Sequence, residues 1–221
     1  MVGSVPFPQR MNVPVSGAGD VGEVLREIRD LGGAQCFPVA PVPLARFVSA
    51  LGMVANWEAF ETLLGGYAAE VIVGRDWPVM LKSWEFARRG EARELIALDR
   101  SWSPGDAPTL AEASWRVGRR QLSRMRPLSD QRVVQRYLAA VETDRARGWH
   151  PLVYGVVLAV YGIPLRQGLM HYAVHSASGW CDALVRQREW GREGGELAVE
   201  RVCASLPARM PALPNGSLFT P

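Results

Sequence analysis

His171 and His175 stand four residues apart in the stretch GLMHYAVHSASGW. On a helix that spacing puts two imidazoles on one face. Paired neutral imidazoles can bind a transition metal ion. No Glu follows His171, so this is not the H-E-x-x-H motif of zinc peptidases, and the sequence places no third ligand. The bland reading is a pair of hydrogen-bonded histidines near a core or an interface.

A second constellation is basic. Arg116, Arg119, Arg120, Arg124 and Arg126 follow one another within the run from Trp115 to Arg126. Such a helix suits an anion or nucleic acid. It equally suits a solvated face that forms ion pairs with neighbouring acids, which are plentiful here. In the same segment Ser114 and Gly118 form a small face. Gly118 in mid-helix costs about 1 kcal/mol relative to Ala, so close contact with another helix is the expected reason for it.

Other motifs are excluded. No G-x-x-x-x-G-K-[ST] occurs, and Lys82, the only lysine, lies in no glycine loop. There is no G-x-S-x-G elbow. Gly17-x-Gly19-x-x-Gly22 has the letters of a dinucleotide fingerprint, but Pro14 sits where the preceding strand belongs. After Asp30 the next acid is Glu58, so no ribose-binding carboxylate falls at the usual distance. Cys36, Cys181 and Cys203 are odd in number and far apart, which fits a reducing cytosol better than a disulfide framework. Nothing argues positively for an enzyme.

These residues need elements to hold them. Leu152 to Tyr161 is apolar on every side, the mark of a buried helix. It is too short to span a bilayer, which needs about 20 residues. Gly162 can end it in a left-handed cap, and Pro164 can open the next helix, which carries both histidines. This pair, residues 150–188, reads as a core helical hairpin. Around it the sequence predicts helices over Val21–Leu31, Leu44–Val54, Trp57–Val73 with Asn56 as N-cap, and Pro78–Arg89 with Asp76 as cap and Gly90 as stop. More follow over Glu91–Arg100, from a capping box at Thr109–Glu112 to Met125, over Asp130–Arg145 after Ser129, and over Glu196–Leu206 beyond Gly194 and Gly195. About ten helices and no convincing strand predict an all-α fold, a single-domain bundle. The expected organisation is a flexible leader over 1–19, the helical domain over 20–208 and an extended Pro-rich tail over 209–221. At 221 residues, 48% hydrophobic, with net charge +3, the chain can build a sizeable core, and its charge alone does not call for nucleic acid. No signal peptide or transmembrane segment is legible.

The segment Glu112-Ala113-Ser114-Trp115-Arg116-Val117-Gly118-Arg119-Arg120-Gln121-Leu122 resembles the central helix of the urease accessory protein F family. His150 to Gly155, Gly162-Ile163-Pro164-Leu165, His175-Ser176, Ala183-Leu184-Val185-Arg186 and Gly216-Ser217-Leu218-Phe219-Thr220-Pro221 follow in the family's order. The resemblance covers roughly Val24 to Pro221. The chain departs from the family after Pro38, where Val39-Ala40-Pro41-Val42-Pro43-Leu44 replaces a glycine-rich signature, and after Arg186, where Gly191-Arg192 and Gly195-Glu196 replace a repeated Gly-Gln pair. It reads as a diverged or C-terminally shortened member.

The resemblance implies an all-α, dimer-forming, non-enzymatic scaffold in the cytoplasm. It implies as partners the urease accessory protein D/H, the urease accessory GTPase G and apo-urease, with GTP hydrolysed by the partner. No firmly bound cofactor is expected, and nickel would be cargo in transit, with His171 and His175 as its candidate contacts. Ser114, Gly118, Arg119, Arg120, Arg186, Leu218 and Phe219 are the candidate partner-binding residues. Neither nucleic acid nor membrane is expected as a partner. The alternative is an Arg-rich helical regulator that binds nucleic acid, whose affinity would fall steeply with salt.

Overall fold

The computed structural model describes residues 45–105, 108–188 and 190–213. Among the described residues the fold is all-α, with no strand. The helices are α1 (Ala45–Leu51), α2 (Trp57–Tyr67), α3 (Trp77–Arg89), α4 (Ala92–Ser101) and α5 (Pro108–Arg124). Then come α6 (Arg132–Glu142), α7 (His150–Val160), α8 (Leu165–Arg188) and α9 (Arg192–Ala204), with a 3-10 turn at Pro207–Arg209. A π-helical segment, Ala68–Asp76, joins α2 to α3. The expected leader, the helix over Val21–Leu31 and the Gly17–Gly22 loop lie outside the described residues.

Local signals explain several helix ends. Asn56 Oδ1 accepts the Ala59 amide at 2.8 Å and opens α2. Gly90 (φ 71°) and Gly162 (φ 64°) close α3 and α7 in the left-handed region, where an L side chain is disfavoured. Four boundaries differ from expectation. Ser129 does not cap α6, which starts at Arg132 with Gln131 as its N-cap residue. Asp76 is no cap: its own backbone is helical, and the π segment carries the chain into α3 without a break. Thr109 does not open α5 either, because the helix already starts at Pro108, a residue pre-set for a first turn. Gly194 and Gly195 lie inside α9 instead of breaking the chain before it. A Cβ on Gly194 would overlap the Trp57 indole, and one on Gly195 would overlap Cys181 Sγ, so the small residues let α9 lie close to α2 and α8.

The architecture turns on α7. From His150 to Leu158 every residue is buried. Tyr154 and Leu158 enter the larger core with Phe60, Leu64, Tyr67, Trp77, Met80, Leu169, Tyr172 and Trp180. Val153, Val156 and Val157 enter a second core with Leu95, Leu122, Met125, Val134, Tyr137 and Val141. Leu152 joins Val79 and Trp149 in a third, small cluster. Each fully buried Val or Leu contributes about 1.5–3 kcal/mol relative to an exposed one. A helix apolar all round is therefore stable only where neighbours cover all its sides.

The expected hairpin takes a different form. The most extensive packing of α7 is with α3 and then α5, whereas α8 packs chiefly on α9. Near the turn Leu158 fills the space above Gly168, and Tyr154 Oη donates to the Gly168 carbonyl at 3.3 Å. The α3–α7 approach is set by Gly155. A Cβ there would overlap Ser83 Oγ and the Met80 carbonyl oxygen. Beyond α9, Met210 and Leu213 rest partly buried on the larger core, so the first residues of the expected tail are folded onto the bundle. No described helix is long and apolar enough to cross a membrane.

Candidate functional site

Helix α8 holds His171 and His175 on one side with ring centroids 4.2 Å apart. Tyr154 Oη lies 2.9 Å from His171 Nδ1, linking the ring to α7. Burial, and then the neighbouring His175, push the His171 pKa down to about 4. Burial also lowers that of His175. Both imidazoles are therefore neutral at pH 7, the form that offers a lone pair to a metal ion. Among the described residues no group of three His, Cys, Asp or Glu side chains gathers to hold an ion. What the pair offers is two-point contact.

Behind the histidines runs a line of buried polar groups that the sequence did not reveal. His150 lies in the first turn of α7, its ring 5.5 Å from that of Tyr172 and 6.0 Å from that of Tyr154. Both of its ring nitrogens lack a hydrogen-bond partner among the described residues. Burial pushes its pKa down to about 4, so it sits neutral in the core. Tyr172 Oη donates to Asp76 Oδ2 at 2.8 Å, and Arg75 Nε lies 3.2 Å from Asp76 Oδ1. Burial raises the Asp76 pKa, partly offset by Arg75 and the Tyr172 hydroxyl. This contact explains why Asp76 caps nothing: its carboxylate is drawn inward, to α8.

Asp99 plays the capping role for α7 from a distance. From α4 its carboxylate accepts the backbone amides of Arg147, Gly148 (2.9 Å) and Trp149 (3.3 Å), and the Tyr137 hydroxyl at 2.6 Å. One buried side chain thus satisfies the amide of the N-cap residue Trp149 and the amides of the two residues that lead into the helix.

The small face of α5 packs against that same helix start. Ser114 Oγ accepts the His150 amide at 3.3 Å. A Cβ on Gly118 would overlap the Gly148 carbonyl oxygen and approach the His150 nitrogen to 2.8 Å. The expected close contact exists, but it lies within the chain. Ser114 and Gly118 are buried by residues 148–150, which corrects their assignment as direct contacts for a partner.

Arg119 is engaged as well. Its Nη2 donates to Asp144 Oδ1 at 2.8 Å, its Nε to the Arg147 carbonyl at 3.2 Å, and its guanidinium stacks on Trp115. Arg126 pairs with Glu142. Arg120, and Arg186 near the end of α8, are exposed. Leu218 and Phe219 lie outside the described residues.

A further basic feature escaped the sequence. The loop between α6 and α7 carries Arg145 and Arg147, which line a depression of about 380 Å³ together with Arg100, Asp144 and Ala146. Asp144 holds φ 54°, the one non-glycine residue with positive φ among those described. Arg145 N donates to the Ala140 carbonyl at 2.8 Å, and Asp144 N to the Val141 carbonyl at 3.3 Å, so Asp144 occupies the left-handed position of a Schellman ending. The run Thr143-Asp144-Arg145-Ala146-Arg147 could have been noticed in the sequence. Arg100, more than forty positions earlier, could not have been joined to it.

The fold and its polar groups describe an all-helical protein whose buried polar residues mainly position one central helix, under an arginine-rich exterior. The UreF family model matches residues 54–199, two thirds of the sequence, and the chain belongs to that family. Membership carries the role of a urease accessory protein. The matched segment runs from just before α2 into α9 and includes α7, the histidine pair and the arginine depression. None of the curated proteins compared with the chain matches it.

Proposed function

We propose that the protein is a non-enzymatic scaffold of urease maturation. It would bridge the accessory protein D/H and the GTPase G while nickel is inserted into apo-urease with GTP hydrolysis. The observation that carries this reading is the family match over residues 54–199. It acts in the cytoplasm and works as a homodimer. Nickel is cargo, and His171 with His175 is the pair that would touch it in passing. Two neutral imidazoles without a third ligand suit brief contact better than retention.

The test is co-purification of the full chain with the D/H protein and the G protein at low and at moderate salt. Capture of both supports the scaffold. Capture of neither removes it. The nucleic-acid reading requires the arginines of the run from Trp115 to Arg126 to be available for phosphates, yet Arg119 and Arg126 already pair with Asp144 and Glu142. A steep salt dependence of DNA binding would restore that reading.

A further inference from the structure

Most described ion pairs use the arginines of the bundle surface one carboxylate at a time. At the depression that pattern fails. Arg100 lies in the last turn of α4, and Arg145 and Arg147 follow α6, so three arginines line one depression. Among the described residues none of the three has a carboxylate within ion-pair distance. Arg145 Nε donates only to Thr143 Oγ1, at 3.0 Å. The two nearby acids are already engaged. Asp144 takes Arg119, and Asp99 accepts three backbone amides and the Tyr137 hydroxyl.

The loop is also held in place. Asp99 fixes the backbone at residues 147–149 from one side, and Arg119 holds Asp144 and the Arg147 carbonyl from the other. Asp144 keeps a left-handed backbone that glycine would adopt more cheaply. The chemistry selects the ligand. A guanidinium fork matches a carboxylate with two parallel hydrogen bonds. Among the described residues the lining is three arginines, one Asp and one Ala, with no aromatic ring on which a base could stack, which disfavours a nucleotide. The depression is far larger than one carboxylate requires, so it suits several acidic side chains of one segment.

We propose that this depression docks an acidic segment of a protein partner, with neighbouring carboxylates entering between Arg100, Arg145 and Arg147. The proposal rests on the reading of the chain as a scaffold, and it names a surface that such a scaffold would use.

The experiment compares three full-length chains. They are the wild type, the variant Arg100→Ala/Arg145→Ala/Arg147→Ala, and a control Arg116→Ala/Arg124→Ala/Arg166→Ala that removes the same charge from exposed positions of α5 and α8. The probes are a labelled hexaglutamate peptide and, separately, the D/H and G proteins. The wild type and the control are expected to bind the peptide, and the depression variant to bind it roughly tenfold more weakly. Capture of at least one accessory protein should fall in the same variant. The removed side chains carry no ion pair, so its melting temperature should match that of the wild type. If it does not, Arg100→Lys/Arg145→Lys/Arg147→Lys replaces it, keeping the charge but not the fork, and must still weaken the peptide.

Peptide binding within about twofold of wild type in the depression variant overturns the proposal. So does an equal loss in the control, which would show general attraction only. Competition by inorganic phosphate or duplex DNA as strong as that by the peptide overturns it too. If the wild type binds the peptide but captures neither accessory protein, the scaffold reading fails while the peptide still decides whether the site is real.

Discussion

Two glycines separate packing from propensity at the level of single residues. Gly118→Ala places a methyl group against the carbonyl of Gly148, whose own amide is held by Asp99. Overpacking costs about 1–3 kcal/mol, and the better helix propensity of Ala returns about 1 kcal/mol at most. Urea unfolding should show a net loss. Gly65→Ala on α2 meets nothing within 4 Å and should gain up to about 1 kcal/mol. Equal effects at the two sites would refute the close approach of α5 to residues 148–150. His150 supplies a pH test. Its folded pKa, about 4, lies below the ordinary histidine value, so the folded chain binds fewer protons between the two. Stability from this group is full above pH ~6.5 and is lost as pH falls toward 4, roughly 3 kcal/mol in all. His171 acts in the same direction, while Asp76, raised by burial, acts in the opposite one. His150→Phe should therefore flatten the decline in stability between pH 7 and pH 4.5. An unchanged slope would place the acid sensitivity elsewhere.

Among elements, α7 is the one on which the others depend. Its amides are covered by two cores and should exchange with solvent at rates near the global unfolding limit, more slowly than those of α9. Exchange in α7 as fast as in α9 would contradict its central place. Asp99→Ala should show how far that helix relies on its distant cap. It leaves two buried amides, the partly buried Arg147 amide and the Tyr137 hydroxyl without their acceptor, and a loss of roughly 2–4 kcal/mol is expected in thermal or urea unfolding. A loss below about 1 kcal/mol would mean that water replaces the carboxylate. Much of this level was legible in the sequence. Asn56, Gly90 and Gly162 act through neighbours in the chain, and unbroken apolarity marked α7 as buried. The rest needed tertiary contacts. Asp76 looks like a cap until Tyr172 draws it inward, and Gly194-Gly195 looks like a break until Trp57 and Cys181 require the space. The two helices and their turn were legible, but sequence adjacency says nothing about which helix α7 packs against most.

For the whole molecule, the cores on either side of α7 share one helix, so neither half can lose its packing without exposing the other. Unfolding should be a single cooperative transition, with tryptophan fluorescence and far-ultraviolet circular dichroism changing together. Transitions separated along the denaturant axis would show two independent units. The candidate site divides in the same way. The histidine pair was legible, because it lies on one helix. The arginine depression was not, because Arg100 and Arg145–Arg147 meet only after α4 and α6 have packed. Ser114 and Gly118 were correctly read as a close-contact face, but residue types alone could not say whether the other surface belonged to this chain or to another.

The π segment between α2 and α3 has a consequence for how this sequence can change length. A π turn absorbs an extra residue within a helix that otherwise runs on. Each residue of an α-helix turns the chain by about 100°. Phe60, Leu64 and Tyr67 before Ala68–Asp76, and Trp77, Met80 and Trp84 after it, reach the same core only because the wider turn keeps them in phase. Deleting one residue there would leave a continuous helix, yet it would turn one set of aromatic rings out of the core and carry Asp76 away from Tyr172. A one-codon deletion in this short window should therefore be far more damaging than a similar deletion in the loop over residues 103–105, where no helical phase has to be kept.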